Sequence, residues 1–210
     1  NVFDHAVVSA DYDYLTVGTD LAVKASGVTS TGGAIALPEG STLKVSDESL
    51  GTLSGNVFTA KALGDVQIQL IAADGSVLGT KMLHIVEPTE LKFTKDSLNV
   101  VYGESSELPL EATYNGNPVK INPNDVQFGF LKITLQSLGE IEGGSVNTTK
   151  TELVFDYPEA GTISGFDFTP NANSELRTLT IGAVLKSKLA EFQTTINQEY
   201  ARASMRRAAK

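Results

Sequence analysis

The chain has 210 residues, 41% of them apolar and 20% charged, which is enough apolar material for two ordinary domains and too much for the disordered class. Its formal charge of -9 repels phosphate backbones and anionic lipid, so nucleic-acid and membrane-surface partners are disfavoured, and the absence of Cys excludes disulfides, thiolate nucleophiles and Cys-ligated zinc. Aromatic residues make up 7% without any Trp, while Val, Ile, Leu and Thr abound, a composition suited to packed β-sheets.

In chain order, strand-like runs occur at 6–11, 21–26, 41–46, 57–60, 66–72 and 81–86. Within them Val66-Gln67-Ile68-Gln69-Leu70 alternates apolar and polar residues with period two, the pattern of a strand with one buried face. Ala73-Asp74-Gly75-Ser76 then supplies a hairpin turn, because Asp and Gly tolerate positive φ. A boundary is expected at Glu87-Pro88-Thr89, since Pro restricts its predecessor and lacks the amide of a central strand. Further strands are expected at 91–93, 98–102, 108–114, 119–121, 126–135, 152–155, 166–169 and 176–184, with Asn115-Gly116 the strongest short hairpin signal. From Ser187 onward Leu189, Phe192, Ile196, Tyr200 and Ala203 step by three and four, which predicts a helix over 188–206 with Arg202, Arg206, Arg207 and Lys210 clustered at its end.

An internal repeat organises this series. Residues 43–60 read LKVSDESLGTLSGNVFTA and residues 153–169 read LVFDYPEAGTISGFDFT. Asp47, Gly51-Thr52, Ser54-Gly55 and Phe58-Thr59 recur as Asp156, Gly161-Thr162, Ser164-Gly165 and Phe168-Thr169. Physically the segment reads as a strand, a tight glycine turn and a short strand with one large side chain pointing inward. A weaker copy at 131–147 is too near the second for a full sandwich and reads as an inserted hairpin.

At these residues the chain resembles the bacterial immunoglobulin-like domains of the second group, the invasin and intimin type. The match runs over 8–86 through Ser46-Asp47, Gly51, Leu53, Asn56-Val57-Phe58-Thr59-Ala60, Gly64, Val66-Gln67-Ile68 and Leu83-His84-Ile85-Val86. The run 108–130, with Ala112-Thr113-Tyr114-Asn115-Gly116, also looks like the Ig-like tail of bacterial phosphodiester glycosidases. The first resemblance implies an exported, non-catalytic module at the bacterial cell surface. The second implies an accessory region whose catalytic domain is a separate unit.

Residues that bear chemistry form no recognised catalytic arrangement. His5 and His84 stand apart in sequence, His84 being expected on the polar side of its strand, and no Gly-x-Ser-x-Gly elbow presents a nucleophile. Acidic pairs occur at Asp11 and Asp13, Asp47 and Glu48, Glu140 and Glu142, and Asp156 and Glu159. Such pairs in strand-end turns read as solvated; Asp11 and Asp13 offer at most a weak Ca²⁺ reading without EF-hand spacing. The tyrosines, with Phe166, are either core and corner residues or platforms on which a sugar ring stacks, and for the second role the candidates are Tyr12, Tyr14, Tyr157 and Phe166.

The expectation is therefore all-β: two tandem immunoglobulin-like β-sandwiches with a short C-terminal α-helix. The first covers 1–87, the second 88–186 with the inserted hairpin, and the helix or tail 187–210. The chain is expected to be no enzyme and to need no cofactor or metal. Its partner would be a cell-surface glycan or another domain of the same parent protein, since Asn1 follows no initiator Met or leader pattern and the natural chain is expected to extend both ways. No segment is apolar enough for membrane insertion.

Overall fold

The computed structural model of the protein describes residues 1–95, 97–101, 103–135, 139–142, 144–147, 152–155, 161–171, 176–186 and 188–196. The chain begins with β1 (Phe3–Ala10), β2 (Tyr14–Leu15), β3 (Asp20–Thr29), β4 (Ala34–Ile35), β5 (Thr42–Val45), β6 (Gly51–Ser54), β7 (Val57–Ala60), β8 (Gly64–Ile71) and β9 (Val77–Ile85). It continues with β10 (Glu90–Phe93), β11 (Ser97–Val100), β12 (Ser106–Glu107), β13 (Leu110–Tyr114) and β14 (Asn117–Lys120). After a 3-10 turn at Pro123–Asp125 come β15 (Gln127–Leu135), β16 (Gly139–Glu142), β17 (Gly144–Asn147) and β18 (Glu152–Phe155). The last strands among the described residues are β19 (Gly161–Ser164), β20 (Asp167–Pro170), β21 (Leu176–Leu185) and β22 (Lys188–Ile196). The protein is all-β, with several sheets of mostly antiparallel strands among the described residues.

Two compact units divide the chain. Residues 1–89 with 112–122 make unit 1, and residues 90–111 with the described residues from 123 onward make unit 2.

In unit 1 one sheet runs β1-β3-β7-β6, with β4 beside β3, and the other runs β13-β14-β2-β9-β8-β5. Their inner faces meet in a core that follows from period-two alternation. Val66, Ile68 and Leu70 of β8 are buried, whereas Gln67 and Gln69 between them are half-exposed on the other face. Leu21 and Val23 of β3, Phe58 and Ala60 of β7, and Leu83 and Ile85 of β9 close the same core. Between β8 and β9 the expected turn forms: Gly75 takes φ 89°. Asp74 there accepts the Ser76 amide at 2.9 Å and its hydroxyl at 2.6 Å, bonds that favour the charged form and hold the carboxyl below its usual range. Asp47 caps Ser49 in the same way, with the same downward direction.

The sequence repeat is a repeat of structure. β6 and β7 pair Gly51 with Ala60, Thr52 with Thr59, Leu53 with Phe58 and Ser54 with Val57. β19 and β20 pair Gly161 with Pro170, Thr162 with Thr169, Ile163 with Phe168 and Ser164 with Asp167, the same register position by position. Gly55 and Gly165 both turn at φ 61°, and Phe58 and Phe168 are both fully buried. The leading glycine of each copy makes room for the ring. A Cβ on Gly51 would lie 2.3 Å from the Phe58 ring, and one on Gly161 would lie 2.9 Å from the Phe168 ring.

Unit 2 holds a sheet in the order β11-β22-β21-β15-β16, a second in the order β12-β20-β19, and the β17-β18 pair. Phe130 of β15 lies against Phe168 of β20 with ring centroids 5.8 Å apart. Leu179, Ile181 and Ala183 of β21 are fully buried.

The expected C-terminal helix is corrected where it is described. Lys188–Ile196 is strand β22, paired along its length with β21 from Leu185↔Lys188 to Thr178↔Thr195, and parallel to β11 on its other edge. The spacing of Leu189, Phe192 and Ile196 suits a helix, but Ala190, Phe192, Thr194 and Ile196 also fit period two. The β-branched run Thr194-Thr195-Ile196 loses side-chain freedom in a helix, and two waiting edges supply ladder bonds on both sides. Residues 197–210, with the basic cluster, lie outside the described residues.

Candidate functional site

The recess that gathers the predicted aromatic residues lies in unit 1, where the chain leaves β1 and runs into β2. Asp11, Tyr12, Asp13 and Tyr14 line a recess of about 190 Å³, completed by Asn117 and Pro118 at the start of β14. Sequence distance hides this neighbourhood, since β2 lies parallel to both β14 and β9: Val119↔Tyr14 on one side and Tyr14↔His84 on the other.

That register stacks aromatic rings across the sheet. The Tyr14 ring lies 4.7 Å from the His84 imidazole and 5.7 Å from the Tyr114 ring, each inclined by 29°. Tyr14 therefore has a stacking neighbour from β9 and another from β13. Tyr12 is half-buried and packs against the hydrophobic core.

Several polar groups around the recess are engaged with one another. The Lys81 ammonium donates to the Asp13 carboxylate, so the cation that would compete with Ca²⁺ is already supplied by the chain. His84 Nδ1 lies 2.7 Å from Asp65 Oδ1, and the His84 amide donates to the Asp13 carbonyl at 2.8 Å. His84 is thus a half-buried member of a stack as well as the polar-face residue its strand suggested. Asn117 Nδ2 donates to the Tyr114 carbonyl at 3.1 Å, which fixes the rim. Among the described residues no group of three or more His, Asp or Glu is placed to hold a metal.

Of the four predicted aromatic candidates, Tyr12 and Tyr14 share this recess. Phe166 belongs to unit 2, in the tight turn between β19 and β20, with its ring edge-on to Phe128 at 6.2 Å. Tyr157 lies outside the described residues. Sequence reasoning missed Asn117, Pro118, Lys81 and Asp65 as neighbours of the site, because only strand register brings them there. A second recess in unit 1, of about 400 Å³, is lined by Leu43, Lys44, Val45, Glu48, Thr52 and Leu53 along the edge strands β5 and β6.

No protein-family model and no curated protein matches the chain. Solved structures of low sequence identity align with it. One is the pair of domains 4 and 5 of the S-layer protein SbsC, 8% identical, aligned over 93% of this chain and 99% of that one with a TM-score of 0.35. Another is invasin, titled a bacterial integrin-binding protein, 11% identical over 93% of this chain and 40% of that one, with a TM-score of 0.36. A third is a C-terminal fragment of intimin in complex with the intimin-binding domain of the translocated intimin receptor, 13% identical over 94% of this chain and 65% of that one, with a TM-score of 0.34. The chain thus spans less than two thirds of the length of the invasin and intimin structures it aligns with.

Proposed function

We propose that this chain is a non-catalytic pair of immunoglobulin-like modules from an exported bacterial surface protein, acting as a spacer that also presents a partner-binding face. The observation that carries the reading is the repeated hairpin: what recurs between the two units is a packing device, Gly51 with Phe58 and Gly161 with Phe168, rather than a set of reactive groups. At the unit 1 recess Asp13 is paired with Lys81, and beside it His84 is paired with Asp65. A module repeated for its packing extends a chain at low risk to the fold, which is what a surface spacer requires.

Antibodies raised against the chain should label intact, unpermeabilised cells of the source bacterium. Labelling only after permeabilisation would sink the surface reading. A glycan array probed with the purified chain decides the ligand class. The spacer reading expects no specific binding, whereas binding that disappears in Tyr12→Ala would make the recess a carbohydrate-recognition site.

A further inference from the structure

Unit 1 is completed by a segment that arrives late. The chain leaves it at Thr89 and returns for residues 112–122, which form a hairpin whose turn, Asn115-Gly116, has φ 47° and 87°. That geometry is the type I′ turn, which matches the twist of the flanking strands. Within unit 1 the ladder partner of the hairpin is β2, a strand of two residues, met by the pairs Val119↔Tyr14 and Lys120↔Leu15. By comparison, β8 and β9 hold each other through eight register pairs.

Further attachments of the hairpin to unit 1 are specific. The Thr16 amide donates to the Lys120 carbonyl at 3.1 Å and the Thr89 amide to the Thr113 carbonyl at 2.8 Å. The Asn115 amide donates to Thr89 Oγ1 at 2.9 Å, and the Lys120 ammonium caps the Asp20 carbonyl. Tyr114 stacks on Tyr14, and Ala112, Thr113 and Val119 are buried. Parallel pairing is slightly weaker per residue than antiparallel, and a strand as short as β2 offers few pairs. Its release is a local opening that leaves the larger β8-β9 core intact. An opened β2 presents unpaired backbone groups beside an aromatic face, which is a template for another strand.

We propose that the β2 edge is a strand-accepting site, filled in cis by the 112–122 hairpin and able to take the same hairpin from a second copy of the chain. The occupant follows from the structure itself: the segment seated there already matches the edge in register, in Tyr114 stacking and in the Lys120 bond to Asp20. Exchange between copies re-forms the same contacts, so little is lost in the swap. This inference stands apart from the surface role proposed above.

The test uses the full chain carrying Val119→Asp, which places a charge at a buried position of β14, and a fluorescent peptide of residues 110–122 as the strand supplied in trans. Hydrogen exchange first establishes that the β8 and β9 amides of the variant stay protected while the Thr16 amide exchanges faster. The peptide is expected to bind the variant at least about ten-fold more tightly than wild type, since about 1.4 kcal/mol of lost cis competition corresponds to a factor of ten. Bound peptide should restore protection at Thr16. A variant with protected β8 and β9 that ignores the peptide would overturn the proposal. Should Val119→Asp fail to fold, Lys120→Ala removes only the bond to the Asp20 carbonyl and is read by the same two outcomes.

Discussion

Phe58→Ala will cost about 3 to 5 kcal/mol in denaturant melts, and Phe168→Ala will cost a similar amount. Both rings are fully buried, and both sit across from a glycine that gives them their space. Truncation removes the transfer energy of the ring and leaves a cavity in a β-sandwich whose walls are held by ladders. Those walls relax only partly. Leu53 and Val57, half-exposed neighbours in the same hairpin, lack that enclosure and will show smaller losses. A cost below about 1 kcal/mol at either Phe would contradict the view that the repeat is a packing device.

Gly79→Ala is the second large effect. Gly79 lies in β9, and a Cβ built there would stand 2.2 Å from the Ala6 carbonyl oxygen and 2.9 Å from its carbonyl carbon. These are backbone atoms of β1 in the facing sheet, so no flexible side chain can swing aside. The two sheets must separate locally, and overpacking of that kind costs about 1 to 3 kcal/mol. Thr80→Ala, one residue on and exposed, is the matched control and should stay within about 0.5 kcal/mol of wild type. Equal stability of the two variants would show that the sheets do not approach at Gly79 as described.

Much of the fold was legible because its signals are local. The alternation of Val66, Ile68 and Leu70 with Gln67 and Gln69 appears as a strand with one buried face, and Gly75, Asn115 and Gly116 take positive φ in the two expected turns. The repeat was visible as letters, and over 51–60 and 161–170 it proved to be one register used twice. Strands of two residues, β2, β4 and β12, are too short to carry a period and were missed. At Lys188–Ile196 the local spacing pointed to a helix, but pairing with β21 and β11 decided the outcome, and such partners are invisible in a local pattern.

The candidate site was less legible for the same reason. Tyr12 and Tyr14 were singled out as residues that stack, yet Tyr14 meets His84 and Tyr114, partners supplied by distant strands. Lys120 reaches the Asp20 carbonyl from a hundred residues away. None of these contacts has a sequence signature, because they depend on β2 lying parallel to β9 and to β14.

The most direct test of the central claim, that both units rest on one interchangeable hairpin, is to replace residues 51–59 with the residues of 161–169. The exchange introduces Leu53→Ile, Asn56→Phe and Val57→Asp, all at exposed or half-buried positions, and keeps Gly51, Gly55 and Phe58. The chimera is expected to unfold cooperatively in denaturant and to lose less stability than Phe58→Ala alone, despite three substitutions. A chimera less stable than Phe58→Ala would show that the two hairpins are not equivalent, and the shared packing device would have to be abandoned.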